Sequence, residues 1–404
     1  MKKTITDEKL IEEFLTRGVE AIYPSKEELK KKLMSGERLR AYQGFDPTGP
    51  YLHVGHAMGI RAMRLLQKLG HEVIFLVGDY TAKVGDPDKD TTRRMLTDEE
   101  IEKNMSGWKE QAAQLIDFSG DNPVRFERNY KWLSKLTSFD MLKLMSNITL
   151  PQILQRDLFK KRLEADGDTL KLHEIVYPLL QGYDGVAMEV DIEIGGADQT
   201  FNMLRGRDLS LAYLKKEKFV RANKMMDAPD GRTMSKTKGN GINLSDSPED
   251  MFGKAMSYSD DHIISGLEFL TEVPMEDIEK TKKNLEAGAN PMEAKKRMAY
   301  EIVKMIKGEK AAEAARDNFE KVFSRKELPE EIVPSPAPPE TTLIELMVNE
   351  GLAASKGDAK RKIEQGGVSI DGAVIKDLQY SINESDNGKV LKVGKREFRR
   401  IETV

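Results

Sequence analysis

The sequence predicts an α/β protein with a parallel sheet and a helical insertion, followed by a long helical stretch and a small separate tail. Three observations carry this reading. Strand-like, helical and strand-like segments follow one another between residues 38 and 79. Helical patterning dominates residues 98–165 and most of the chain beyond Pro248. A proline cluster at 328–341, "LPEEIVPSPAPPET", then sets off a last segment with its own apolar pattern.

The first strand is expected over 38–46, "RLRAYQGFD", which ends in the turn signal Asp46-Pro47-Thr48-Gly49. From His53, apolar Val54, Met58, Ala62, Leu65, Leu66 and Leu69 recur at helical spacing and stop at Gly70. "EVIFLVGD" (72–79) is nearly all apolar, as in a strand covered on both faces of a parallel sheet. Strand, helix and strand at this spacing form a βαβ unit, whose ligand site belongs at the carboxyl ends of its strands. Residues 98–165 read mostly as an inserted helical segment. The sheet resumes in "VAMEVDIEIGGADQ" (186–199), and a helix follows over Thr200–Leu214. The proline cluster should behave as a semi-rigid spacer.

With 404 residues the chain can bury two or three cores. A mean hydropathy of -0.54 and the lack of a long apolar run predict a chain that does not cross a membrane. "MKKTITDEKLIEEF" has no apolar stretch after its lysines, so no export signal is expected and the predicted location is cytoplasmic. Cysteine is absent, which excludes disulfides, thiolate catalysis and cysteine-bound zinc. The net charge of -4 gives no global attraction to nucleic acid, so any RNA contact must come from local patches.

The segment "YLHVGHAMGI" (51–60) places His53 and His56 three residues apart around Gly55. A zinc site would need a third protein ligand, and His71, His173 and His262 are scattered, so no protein-held metal is predicted. Two partly buried structural histidines are the plain alternative. A nucleotide site suits the context better, because a helix that starts after a strand and a turn presents free amides and the positive end of its dipole. Gly55 would let a base or ribose approach the backbone, and the imidazoles could donate to phosphate.

Together with "YQGFDPTG" (42–49), this segment resembles the first signature of the class I aminoacyl-tRNA synthetases, and of the tyrosyl-tRNA synthetases in particular. The family's second signature, a Lys-Met-Ser-Lys-Ser loop over the ATP phosphates, is matched by Thr233-Met234-Ser235-Lys236-Thr237. The departure is Thr233, where the family has lysine. Losing a charge-assisted phosphate contact costs roughly 1.5–3 kcal/mol. Arg232 or Lys238 is the candidate replacement, with solvated surface cations as the alternative.

In "EIVYPLLQGYDGV" (174–186), Tyr177, Gln181 and Asp184 stand at i, i+4 and i+7 on one helix face. Alone, such a stripe describes a solvated face as readily as a pocket. The pattern resembles the family's tyrosine pocket, which implies that Asp184 and Tyr42 bind a phenolic hydroxyl and that Tyr177, Gln181 and Asp86 bind an ammonium group. In "EIGGADQ" (193–199) the resemblance gives Asp198 to the ribose and Gln199 to the substrate carboxylate. Glu193 stands where one branch of the family has glutamine and another glutamate. Arg94 matches a position associated with pyrophosphate. The segment 343–372 resembles an S-four-type RNA-binding domain, with Lys356, Lys360, Arg361 and Lys362 as RNA contacts. Lys392, Lys395, Arg396, Arg399 and Arg400 form a second basic cluster.

The resemblance covers nearly the whole chain. It implies a Rossmann-like catalytic domain (1–244), an α-helical domain (245–327), a linker (328–340) and an α+β RNA-binding domain (341–404). It further implies L-tyrosine, ATP with magnesium and tRNA(Tyr) as partners, and a homodimer built on the helical insertion. His53, His56, Thr48 and Lys236 would carry the chemistry, and Gly44, Asp46, Gly55, Gly196, Asp198, Met234, Ser235 and Lys236 would hold ATP. Three alternatives stay open. A tryptophanyl-tRNA synthetase shares the fold and both signatures but normally lacks the tail. A decayed, RNA-binding relative is favoured by Thr233 alone. A generic nucleotidyltransferase would lack both the tail and the Tyr-x-x-x-Gln-x-x-Asp stripe.

Overall fold

The computed structural model describes residues 4–86, 95–154, 156–164, 170–229, 234, 241–321, 332–338, 341–394 and 397–403. The chain divides into two compact units, Met1–Ala314 and Ala315–Val404.

The first unit is built on a six-stranded sheet. Its strands are β1 (Val19–Tyr23), β2 (Arg40–Phe45), β3 (Glu72–Val77), β4 (Arg125–Arg128), β5 (Ile192–Gly196) and β6 (Phe219–Asn223). Their order is β1-β6-β5-β2-β3-β4, with β1 antiparallel to β6 and all other pairs parallel. Strand order therefore reverses between β2 and β5, where Tyr42 pairs with Glu193. Connections leave in opposite directions on either side of this point, which opens a crevice at the carboxyl ends of the two strands.

The Val54–Lys68 helix crosses from β2 to β3 as its periodicity predicts, burying Val54, Ala57, Met58, Ala62 and Leu66. Its end at Leu69 is followed by Gly70 at φ 85, a left-handed turn that glycine adopts without Cβ strain. In β3, Val73 to Val77 are all buried. Each large side chain there contributes roughly 1.5–3 kcal/mol of hydrophobic stabilisation.

Two expectations change. The 98–165 stretch contains β4, which extends the sheet from β3 through Ile74↔Arg125 to Val77↔Arg128. "RFER" is short, charged and at the sheet edge, so it lacks the apolar run that marks an interior strand. Residues Val186 and Ala187 belong to the end of the Leu172–Ala187 helix, and the strand expected from 186 begins at Ile192.

His71, 1% exposed, joins these elements by accepting the Leu39 N–H at Nδ1, 3.2 Å away. Burial, with Arg38 nearby, pushes its pKa down to about 4. The unfolded chain takes up this proton near pH 6.5 and the folded chain only near pH 4. Stability is therefore lost as pH falls through that window. Between about pH 7 and pH 5 the wild-type chain should lose about 2 kcal/mol more than His71→Asn, read from urea unfolding midpoints.

Helices Pro248–Met256, Ile263–Leu270, Met275–Glu286 and Pro291–Lys307 follow the sheet, as the charged helical patterning predicts. In the second unit, β7 (Pro334–Ala337), β8 (Val368–Ile370), β9 (Ala373–Val374), β10 (Val390–Val393) and β11 (Glu397–Thr403) form a sheet of order β7-β11-β10-β8-β9. Helices Leu343–Asn349 and Lys356–Glu364 share its core through Leu343, Leu346, Met347 and Ile363. Here the spacer expectation is corrected, because four residues of the proline cluster pair with β11 as an edge strand. Pro334 and Pro336 face solvent while Ser335 and Ala337 are buried. An edge position needs ladder bonds on one side only, so alternating prolines fit it.

Candidate active site

A cavity of about 740 Å³ opens at the switch point between β2 and β5. Tyr42, Gly44, Asp46, Thr48, His53, Gly55, His56, Asp86, Tyr177, Gln181, Asp184, Gly196, Asp198, Gln199 and Met234 all line it. Residues singled out from five separate stretches of sequence (42–56, 86, 177–184, 196–199 and 234) are thus brought together around one cavity. Ser235 and Lys236 lie outside the described residues, as do Arg94, Arg232, Thr233 and Lys238.

At one end of the cavity, His53 is the N-cap of the Val54–Lys68 helix. The Val54 N–H donates to Ile242 O at 2.9 Å, which ties the helix start to the segment after the second signature. The His53 N–H donates to His56 Nδ1 at 3.0 Å, and the two rings lie 3.8 Å apart. Because Nδ1 of His56 accepts, its Nε2 carries the proton of the neutral ring. Gly55 makes the spacing possible, since a Cβ there would sit 3.0 Å from the His53 ring. Met234 closes in from the other side, with its sulfur 3.8 Å from the same hypothetical Cβ.

In the middle of the cavity, Asp46 accepts from Tyr177 Oη at 2.9 Å and from Thr81 Oγ1 at 2.8 Å. Burial, then the nearby Asp46 and Asp86, push the Tyr177 phenol well above its ordinary pKa, so it stays a neutral donor. Gly78 leaves room for this arrangement, because a Cβ there would overlap the Asp46 carboxylate and the Thr81 hydroxyl.

Asp184 also lines the cavity and is 3% exposed. Trp132 Nε1 donates to Oδ1 at 2.7 Å and Asn129 Nδ2 to Oδ2 at 3.1 Å. Asn129 also donates to Thr81 Oγ1 at 3.0 Å, which connects this group to Asp46. Burial raises the Asp184 pKa well above the ordinary value, the two donors oppose the rise, and Asp46 and Glu193 add to it. The Tyr42 phenol, buried beside Glu193 and Asp184, is likewise pushed up and remains protonated.

At the far side, Gln199 Nε2 donates to Asp86 Oδ2 at 2.7 Å and Arg156 Nη1 lies 3.1 Å from Asp86 Oδ1. Asn202 donates to Gln199 Oε1 at 3.0 Å and to Gln181 Oε1 at 3.1 Å. Gln181 Nε2 donates in turn to Glu193 Oε1 at 3.1 Å, and the Lys218 ammonium donates to Glu193 Oε2.

Sequence reasoning missed Thr81, Asn129, Trp132, Arg156, Asn202 and Lys218. Asn129 and Trp132 follow β4, and with that strand read as helix nothing placed "NYKW" at a strand's carboxyl end. The four cations singled out for RNA lie in the second unit, on the Lys356–Glu364 helix. Lys356 pairs with Glu345 at 3.1 Å, while Arg361 and Lys362 pair with Asp358 at 2.8 and 3.0 Å. Such exposed pairs are weak, so phosphate oxygens can replace their partners.

Residues 34–324 match the model of the tRNA synthetases class I (W and Y). The chain belongs to this family. Residues 319–401, nearly the whole of the second unit, match the tyrosine--tRNA ligase SYY-like C-terminal domain. A tyrosine--tRNA ligase of Thermotoga maritima is 41% identical over 382 residues, 93% of this chain and 94% of the relative. A tyrosine--tRNA ligase 2 of Vibrio parahaemolyticus is 41% identical over 389 residues, 96% and 97% of the two chains. Among solved structures, a truncated mitochondrial tyrosyl-tRNA synthetase of Aspergillus nidulans superposes with a TM-score of 0.66 at 22% identity, over 78% of this chain and 94% of that one. The tyrosyl-tRNA synthetase of Archaeoglobus fulgidus, solved with L-tyrosine, gives 0.60 at 22% identity, over 77% and 100%. These two likenesses speak for the fold, and the α/β architecture with a parallel sheet predicted from the βαβ pattern is the one found.

Proposed function

We propose that this family member activates L-tyrosine with ATP and transfers the tyrosyl group to the 3′ end of tRNA(Tyr). The observation that carries the reading is Asp184: a buried carboxylate in the wall of the cavity, near Tyr42 and oriented by Trp132 and Asn129. Each carboxylate oxygen keeps a lone pair beyond the one already used, so a phenolic hydroxyl can donate there. Tyrosine--tRNA ligase relatives at about 40% identity over nearly the full chain support the same reading.

In this reading Tyr177, Gln181 and Asp86 hold the ammonium group, and Gln199 lies by the substrate carboxylate. That carboxylate attacks the α-phosphorus, a P–O bond to the β-phosphate breaks, and pyrophosphate leaves with the electron pair. No proton moves, so the site needs no general base. Catalysis is positioning plus stabilisation of charge. His53, Thr48 and Lys236 serve the β- and γ-phosphates; Gly55, His56 and Asp198 serve the nucleoside. Gly44, Asp46, Gly196, Met234 and Ser235 complete the ATP site. Arg232 or Lys238 takes over the charge that Thr233 lacks. Magnesium accompanies ATP in this reading. A tRNA terminal hydroxyl then attacks the tyrosyl carbonyl and AMP leaves, with Lys356, Lys360, Arg361 and Lys362 on tRNA phosphates.

The protein acts as a cytoplasmic homodimer in this reading. Phe139 (74% exposed), Leu142 and Met145 on the Ser138–Met145 helix, with nearby Leu150, offer a contiguous apolar face that supports pairing. Phe139→Lys should shift the sedimentation coefficient from dimer to monomer at micromolar concentration, and an unchanged coefficient would contradict this interface.

Charging of tRNA(Tyr) tests the whole reaction. With ATP and labelled tyrosine the full chain should give acid-precipitable aminoacyl-tRNA, and none with tryptophan. Adenylate formation without charging would contradict the transfer step.

A further inference from the structure

Lys218 is 0% exposed and sits behind the cavity, not in it. Its ammonium donates to Glu193, and among the described residues Glu193 is its partner through Oε2 alone. Three glycines make room for it. A Cβ on Gly206 would overlap the ammonium, and one on Gly185 would lie 3.3 Å from it. Gly182 lets the two helices close around the site, since a Cβ there would be 3.0 Å from the Gly206 Cα. A buried ion pair is a poor device for stability, because desolvation offsets most of its Coulombic gain. The geometry of its neighbours gives it another use.

A glutamine amide presents an oxygen at one end and an NH2 at the other, and only its hydrogen-bond partners decide which way it points. Glu193 paired with an ammonium offers only acceptor oxygens to Gln181. Gln181 Nε2 therefore turns to Glu193 Oε1 (3.1 Å), and Oε1 is left on the side of Asn202 Nδ2 (3.1 Å). Asn202 also donates to Gln199, and Gln199 to Asp86, so the Gln181 oxygen is on the Asp86 side, where the proposed reading puts the substrate ammonium group.

We infer that Lys218 is a positioning residue for amino-acid recognition: through Glu193 it fixes the Gln181 amide with its oxygen toward the substrate ammonium. The inference rests on the reading of the cavity as the tyrosine site. Lys218 touches no substrate and takes no part in the bond-making step. Nucleotide binding at the His53 end of the cavity is independent of it.

The test measures KM for tyrosine and for ATP by pyrophosphate exchange in the full chain, for wild type, for Lys218→Met with Glu193→Gln, and for Glu193→Gln alone. The paired substitution removes both charges without leaving either one buried and alone. It also puts an NH2 within reach of Gln181, so the amide loses its fixed orientation. Expected is a rise in tyrosine KM of about 10- to 100-fold, the loss of a charge-assisted contact, with ATP KM within about twofold. Glu193→Gln alone keeps an amide oxygen that can accept from the Lys218 ammonium and turns its NH2 to Gln181, so it should act in the same direction and covers the case in which the paired variant fails to fold. In a Gln181→Leu background, Glu193→Gln should have no further effect on tyrosine KM.

A purely structural pair would lower the unfolding temperature and leave the KM ratio alone. A tyrosine KM within about twofold of wild type in the folded variants overturns the inference while the tyrosine site stands. Absence of tyrosine-dependent exchange in the wild-type protein removes both.

Discussion

Asp184→Ala should lower kcat/KM for tyrosine in adenylate formation by about 1,000-fold while leaving the value for phenylalanine nearly unchanged. The variant loses the acceptor for the phenolic hydroxyl and leaves the Trp132 and Asn129 donors facing an apolar hole. Phenylalanine never used that acceptor. In the wild-type site it brings no hydroxyl to the remaining lone pairs of Asp184, which gives discrimination on the order of 10⁵ without a second, editing site. In the variant, the preference should collapse to about 100-fold. The pH dependence has the same origin. The Asp184 pKa is raised by burial, and a protonated carboxyl no longer accepts freely from the substrate. As pH falls below that raised value, tyrosine kcat/KM should drop about tenfold per unit while phenylalanine stays flat. Parallel losses for the two amino acids would place the phenol elsewhere.

His53→Ala should reduce the rate of adenylate formation by about 100- to 1,000-fold with little change in tyrosine KM, as measured by single-turnover kinetics. The buried His53 ring stands at the N-terminus of the Val54–Lys68 helix, where dipole and imidazole act together on a developing phosphate charge. No hydrogen bond or ring contact of His53 described here reaches Asp184 or Gln181, so amino-acid binding should not sense it. The helix itself should survive, because the Val54 N–H to Ile242 bond does not involve the ring. A rise in tyrosine KM matching the fall in rate would contradict the assignment of this end to ATP.

The two halves of the site differ in how far they could be read from the sequence. The part of the cavity proposed for ATP is contiguous: His53, Gly55 and His56 sit on one helical turn after a strand, and the turn chemistry of Asp46-Pro47-Thr48-Gly49 announces the strand's end. Tyr177, Gln181 and Asp184 share a helix face by spacing alone, and the helix Leu172–Ala187 has that face toward the cavity. The supporting layer is different. Trp132 and Asn129 reach Asp184 across more than fifty residues of sequence, from behind a four-residue charged edge strand. Lys218 looks like one more charge in "LKKEKFV", and only its burial against Gly206 and Gly185 separates it from Lys215 and Lys216. Proline in β7 misled for a related reason, since local stiffness is compatible with an edge strand once β11 lies beside it.

The most direct measurement is tyrosine-dependent exchange of labelled pyrophosphate into ATP by the purified full chain, with tryptophan and phenylalanine as controls. Exchange with tyrosine and background with the other two is the predicted result, since phenylalanine brings no donor to Asp184 and the larger indole does not match the phenol that Tyr42 and Asp184 are proposed to hold. Equal exchange with tryptophan, or none with tyrosine in folded protein, would contradict the account at its centre.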